Sequence, residues 1–138
     1  MSDAATTSAS VQPAGLPVIP GFAWGRVAGG LLFTSGHVSI DSQGVLVGEG
    51  DPAAQAAQCL KNLTATLVAA GSGPADIVKL TCFVVSPDAY RALAAARKAL
   101  FPDTVPASST VLVAGLLDPG YLMEIEAVAF TEEGRAHV

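Results

Sequence analysis

Apolar and polar positions change rhythm several times along the chain, and each change marks an element. From Phe22 the residues alternate, turn at Gly29-Gly30, and continue through "LLFTSGHVSI". That pair predicts a hairpin. "DSQG" follows as a turn in which Gly44 supplies the unusual backbone angles. Asp51-Pro52 then opens a helix, with Asp as cap and Pro at a position that needs no amide hydrogen. Ala56, Leu60, Leu63 and Leu67 recur at spacings of four, three and four, which gives one apolar stripe, and Gly71 ends the helix. "DIVKLTCFVV" reads as a strand with Val78, Leu80, Cys82 and Val84 on one face. Lys79, Thr81 and Phe83 share the other face, a mixture suited to an interface or cleft.

Ser86-Pro87 repeats the cap-plus-proline signal, and a second helix runs to about Phe101, where Pro102 stops it. Tyr90, Leu93, Arg97 and Leu100 mark one side of it, with Ala94 beside them. Two strands, about 108–115 and 121–130, are joined by the turn "LLDPG". The order is ββαβαββ, an α+β fold in which both helices cross one face of a single mixed sheet. The opposite face must then be hidden or hydrated. Residues 1–18 are rich in Ala, Ser, Thr and Pro without periodicity and are expected as a flexible arm ahead of one domain over 19–138.

Composition changes this picture in two ways. Half of the 138 residues are hydrophobic (51%) and only 14% are charged, so the bare sheet face is expected to be covered by copies of the same chain. The net charge is −5 and the seven Lys and Arg residues are scattered, so a nucleic acid partner is not expected. Cys59 and Cys82 are too few for a disulfide framework or zinc motif and read as two buried thiols. His37 and His137 share no metal-ligand spacing with them, so no metal site is expected. The N-terminal stretch has neither a basic start nor an apolar core, and no apolar run reaches the roughly 20 residues that span a bilayer. A cytoplasmic protein is expected.

Three stretches carry candidate chemistry. In "TSGHV" the apolar run breaks at Ser35, Gly36 and His37, which admits either a strand-end bulge or close approach of a ligand. In "LMEIEAVAF", Glu124 and Glu126 fall on the face of Leu122 and Val128. Burial would raise such a carboxyl toward general-acid use, whereas the alternative is a partner for Lys79 or Arg97. In "VPASSTVLV", Ser108, Ser109 and Thr110 stand at the mouth of a strand, as a turn or as a substrate site. Phe22 and Trp24 read as a lid over the core or as cleft wall.

"LLFTSGHVSID", "AAQCLKNLTATLVAAGSGPADIVKLTCFVV", "FPDTVPASSTVLVAGL" and "MEIEAVAF" together resemble the reactive intermediate deaminase family, also called the YjgF or L-PSP family. The resemblance runs from about Phe22 to Phe130. It implies a chorismate-mutase-like fold, a homotrimer with inward-facing sheets, and a small-molecule substrate in clefts between subunits. It also implies hydrolysis of imines or enamines without metal or cofactor. The resemblance carries Glu124 and Ser35 over as catalytic positions, and Phe22, Gly36, His37, Ser108, Ser109 and Thr110 as cleft positions. Trp24, next to Phe22, and Phe83, on the mixed face of its strand, join the substrate-binding set as cleft wall on their own placement. The family's "Pro-Ala-Arg-Ser" has Ser108 in place of its arginine, the early tyrosine is Phe22, and the helix asparagine is Ala94. Without that guanidinium the expected ligand is neutral or cationic at its recognised end, unless Arg97 substitutes. The competing readings are a non-catalytic small-molecule binding protein and an endoribonuclease or translation inhibitor.

Overall fold

The computed structural model describes residues 8–101 and 103–138. Six strands and two long helices form it: β1 (Ser8–Val11), β2 (Gly25–Ala28), β3 (Leu31–Thr34), α1 (Pro52–Ala69), β4 (Ile77–Val84), α2 (Pro87–Leu100), β5 (Ala107–Leu112) and β6 (Met123–Phe130), closed by a short α3 (Glu132–Arg135). They make one mixed sheet in the order β1-β2-β3-β6-β4-β5, antiparallel except for the β4–β5 pair. The α+β expectation with two helices on one face holds, with one strand more than the sequence pattern implied.

The helices start and stop where local chemistry directs. The Asp51 carboxylate accepts from the Ala54 amide, and the Ser86 hydroxyl accepts from the Ala89 amide. At the end of α1, Gly71 takes φ +71°, and the Ser72 and Gly71 amides donate to the Leu67 and Val68 carbonyls. That pairing satisfies carbonyls the helix end would otherwise leave bare. Pro102, expected to stop α2, lies outside the described residues, as do residues 1–7.

Strict alternation in β6 sends Met123, Ile125, Ala127 and Ala129 under the helices and leaves Glu124, Glu126 and Val128 on the open face. The helix-side residues join Leu60, Leu63, Leu67 and Leu93 in one core. Cys59 and Cys82 are buried free thiols there, as expected. Phe33, Phe83 and Val111 occupy the open face: Phe33 pairs with Val128, Phe83 with both Glu124 and Val111.

Two expectations change. Alternation puts Val78 on the face of Leu80, Cys82 and Val84, but the β4–β6 register shifts between Ile77 and Lys79, so Ile77 is buried and Val78 is 43% exposed. An extra residue in one strand reverses the alternation before it. The arm over 1–18 is docked in its described part. Residues Ser8–Val11 pair with β2, Pro13 and Leu16 are buried, and the Trp24 indole donates to the Pro17 carbonyl at 2.8 Å. These contacts are long-range, so no local periodicity announces them.

Gln55, inside the α1 core stripe, is fully buried. Its amide nitrogen donates to the Gly48 and Gly120 carbonyls, and its oxygen accepts from the Leu122 amide. One side chain thus ties two loops to the start of β6. Gln55→Leu strands all three backbone groups and is expected to cost about 2–4 kcal/mol, read as a lower denaturant midpoint at unchanged m. A midpoint equal to wild type would show that the loops hold without it.

Candidate active site

β3 stops pairing regularly after Phe33. Phe33 faces Val128 and His37 faces Ile125, so three residues, Thr34 to Gly36, oppose two on β6. The Thr34 hydroxyl fills the gap by accepting from the Ala127 amide at 2.9 Å. This bulge lays Gly36 directly over Glu124: a Cβ on Gly36 would lie 2.5 Å from the Glu124 carboxyl carbon. No L side chain fits there without moving the carboxylate. Gly36 is present for close approach, since its φ is not in the left-handed region.

Glu124 is half-buried, flanked by Phe83 on β4. Burial first, and the negative charge of Glu126 second, hold its carboxyl above the ordinary glutamate value. The anticipated salt-bridge partners are elsewhere. Lys79 donates to Ser109 at 2.9 Å, and Arg97 lies on the other side of the sheet beside Cys82. The two ion pairs among the described residues are Arg91–Asp88 and Arg135–Asp76.

The Ser35 hydroxyl, on the same bulge, donates to the Ala23 carbonyl at 2.6 Å. His37 contacts the Ser35 carbonyl rather than its hydroxyl, so the two do not form a nucleophile–base pair. The His37 ring points into the core. Its Nδ1 donates to the Ser35 carbonyl at 2.8 Å, which leaves Nε2 to accept from the Thr66 hydroxyl at 2.7 Å. Burial holds it near a pKa of 4, below its ordinary 6.5, with the Ser35 bond opposing the shift. Trp24 stacks at a tilt beside it, 5.2 Å between ring centres, and is 3% exposed. Both rings are committed to the core, so their side chains are withdrawn from the ligand-contact set. Phe22, edge-on to Trp24 and 41% exposed, remains available as a wall.

The hydroxyl cluster divides. Side chains paired across β4 and β5 share a face, so Ser109 stands with Thr81 on the Glu124 side, whereas Ser108 and Thr110 stand with Leu80 and Cys82 on the helix side. Thr110 borders a cavity of about 450 Å3 between α2 and β5, with Val84, Ser86, Pro87, Tyr90 and Leu112. A second cavity of about 250 Å3 continues from Tyr90, lined by Ala94, Arg97, Lys98, Phe101 and Val105. One chain therefore does not bring Ser108 and Thr110 together with Glu124. Among the described residues no group of three or more His, Cys, Asp or Glu side chains converges to hold a metal ion. No helix among them is long and apolar enough to cross a membrane.

The family model described as endoribonuclease L-PSP matches residues 17–131. The chain belongs to this family. It is 40% identical over 104 residues to a RutC family protein of Synechocystis, covering 74% of this chain and 79% of that one. It is 39% identical over 104 residues to a 2-iminobutanoate/2-iminopropanoate deaminase of Salmonella typhimurium, covering 73% of this chain and 80% of the deaminase. Among solved structures it resembles the YjgF gene product of E. coli, with a TM-score of 0.79, 34% identity, and coverage of 88% of this chain and 98% of that one.

The sequence marks Tyr90, Leu93, Arg97 and Leu100 as one side of α2 with Ala94 beside them, but it gives no sign that Lys98, Phe101 and Val105 complete a cavity there, and only packing shows that Leu93 is the buried one. Thr66, inside the α1 stripe, reads as a filler and is in fact the partner of His37.

The His37 value is depressed in the folded state, so the stability it supports is whole above pH 6.5 and declines as pH falls toward 4. At most about 3 kcal/mol is at stake over that window. His37→Gln, which keeps a polar group for Thr66, is expected to flatten the stability profile there. Denaturation at a series of pH values checks this, and parallel losses in both proteins would place the acid sensitivity in other groups.

Proposed function

We propose that the chain hydrolyses a small imine or enamine to a carbonyl compound and ammonia, in clefts between copies of itself. The observation that carries this reading is the half-buried Glu124 carboxyl, held above its ordinary pKa beneath Gly36 and beside Phe83 on the open sheet face. A carboxyl poised this way exchanges protons closer to neutral pH than an exposed one. Water adds to the C=N carbon while Glu124 takes its proton and passes it to nitrogen. In the resulting carbinolamine the hydroxyl gives its proton to Glu124, which passes it to nitrogen; the C–N bond then breaks, ammonia leaves with the bonding electron pair, and the oxygen stays as the carbonyl. Membership of a family that includes an iminobutanoate deaminase 39% identical to this chain supports the reaction class.

The shared cleft follows from the division of the hydroxyl cluster. Ser108 and Thr110 lie on the opposite face of the sheet from Glu124, so a pocket containing both halves takes one from each of two chains. Phe33, Phe83, Val111 and Val128 give the open face the apolar character that self-association needs, with Phe33 46% and Val111 45% exposed. A homotrimer is the assembly we propose. Light scattering at micromolar concentration is expected to give three times the chain mass, and a monomer mass would remove the shared cleft.

Glu124→Gln keeps the shape and removes proton exchange. It is expected to lower kcat/KM for 2-iminobutanoate by well over tenfold, about 1.4 kcal/mol of barrier or more. Glu126→Gln is expected to retain turnover while shifting the acid limb of the pH–rate profile to lower pH, because the second cause of the raised Glu124 value is gone. Full activity in Glu124→Gln sinks the assignment, and saturable binding without product in the unmodified protein favours a binding protein.

A further inference from the structure

Two side chains converge on one backbone carbonyl beside the site. The Ser35 carbonyl accepts from the Thr34 hydroxyl at 2.9 Å and from His37 Nδ1 at 2.8 Å. It belongs to the Ser35–Gly36 peptide, whose glycine is set against the Glu124 carboxyl. A peptide that precedes glycine turns over readily, because glycine accepts φ of either sign. In the observed orientation the carbonyl is held by a ring that is itself buried in the core, and a trans plane sends the Gly36 N–H the opposite way. Turned over, the plane would present the carbonyl oxygen to the open face, where Glu124 stands. The neighbouring backbone bonds leave that choice open. The Ser35 amide donates to the Trp24 carbonyl, and His37 exchanges two bonds with Ile125, but none of these uses the Ser35–Gly36 plane.

Thr66 decides how His37 can act. A carbonyl only accepts, so Nδ1 carries the proton, and the neutral ring offers Nε2 as an acceptor. The Thr66 hydroxyl on α1 donates to it at 2.7 Å, and both residues are fully buried. A ring bonded at both nitrogens keeps one tautomer and one orientation. We infer that His37, with Thr66 behind it, is a positioning residue for Glu124: the pair locks the Ser35–Gly36 peptide so that its carbonyl stays turned away from the carboxyl. The catalytic consequence rests on the proposed hydrolase reading, in which Glu124 moves protons at the ligand; the positioning itself does not. The charged groups sharing the open face near Glu124 are Glu126 on its own strand and Lys79 on β4, which donates to Ser109. β3 brings none, and the Cys59 thiol of α1 packs behind β6 against the Met123 carbonyl. None of these groups touches His37, so the pair acts on Glu124 through the peptide.

Carbon-13 NMR titration of the Glu124 carboxyl in the full-length protein reads the positioning without turnover. In His37→Leu the midpoint is expected to rise by about half a pH unit or more, because a carbonyl oxygen beside the carboxyl disfavours its charged form. A midpoint that falls toward the ordinary glutamate value means that the ring only kept solvent out, and an unchanged midpoint means that the peptide holds without it; either result overturns the inference. Thr66→Val keeps the volume, is expected to raise the midpoint by less, and stands in should the Leu variant not fold. A Thr66→Val midpoint equal to wild type overturns the part given to Thr66. His37→Gln is expected to restore most of the wild-type midpoint, since its amide can donate to the Ser35 carbonyl and accept from Thr66; a midpoint displaced as far as in His37→Leu refutes the lock. With 2-iminobutanoate, His37→Leu is expected to lower kcat about tenfold or more at a KM within about twofold of wild type. A loss confined to KM places the histidine at the ligand and also overturns the inference. Midpoints that move as stated in a protein without turnover leave the positioning intact and sink the hydrolase reading alone.

Discussion

The alternation of β6 is the constraint from which the rest of the molecule follows. This strand lies between β3 and β4 near the middle of the sheet, so each of its residues faces either the helices or the open side. Placing Met123, Ile125, Ala127 and Ala129 in the core obliges Glu124 and Glu126 to share the other face two residues apart. Their proximity and partial desolvation lift the Glu124 value together. A carboxyl whose folded value lies above its unfolded one favours folding only at low pH, and that contribution is lost as pH rises through the folded value. Glu124 therefore opposes stability near neutrality, a mark of a residue retained for something other than the fold.

The bulge at Thr34–Gly36 is the local answer to that carboxylate. A regular ladder would continue β3 across Glu126 and bring a side chain over Glu124. The extra residue instead breaks the pairing, leaves a glycine over the carboxyl, and rotates His37 inward to the Thr66 hydroxyl. One segment thus sets both contacts: the close approach of Gly36 to Glu124 and the anchoring of His37 in the core beside Thr66.

Charge is distributed unevenly about the sheet. The acidic pair shares the open face with Lys79, whose ammonium donates to the Ser109 hydroxyl, while Arg97 and Lys98 border a cavity on the helix side. Neither glutamate takes part in the two ion pairs found among the described residues, so the Glu124 carboxyl keeps the raised value that burial and Glu126 give it.

The sequence by itself determined both long helices and every strand but β1. The Asp51-Pro52 and Ser86-Pro87 caps, the α1 stripe, the β6 alternation and the break at Ser35-Gly36 are all local signals, carried by residues within one or two turns of each other. The family was legible for the same reason, since its motifs are short and ordered. Tertiary structure decided everything that depends on which strand pairs with which. The shift at Val78 follows from the register against β6, and the docking of residues 8–17 from β2 and Trp24. The separation of Ser109 from Ser108 and Thr110 follows from the parallel register against β4. His37 and Arg97 were both ambiguous in one dimension because a long or aromatic side chain can turn to either of two environments. Burial beside Thr66 fixed the one, and contact with Cys82 fixed the other, since each outcome depends on neighbours distant in sequence.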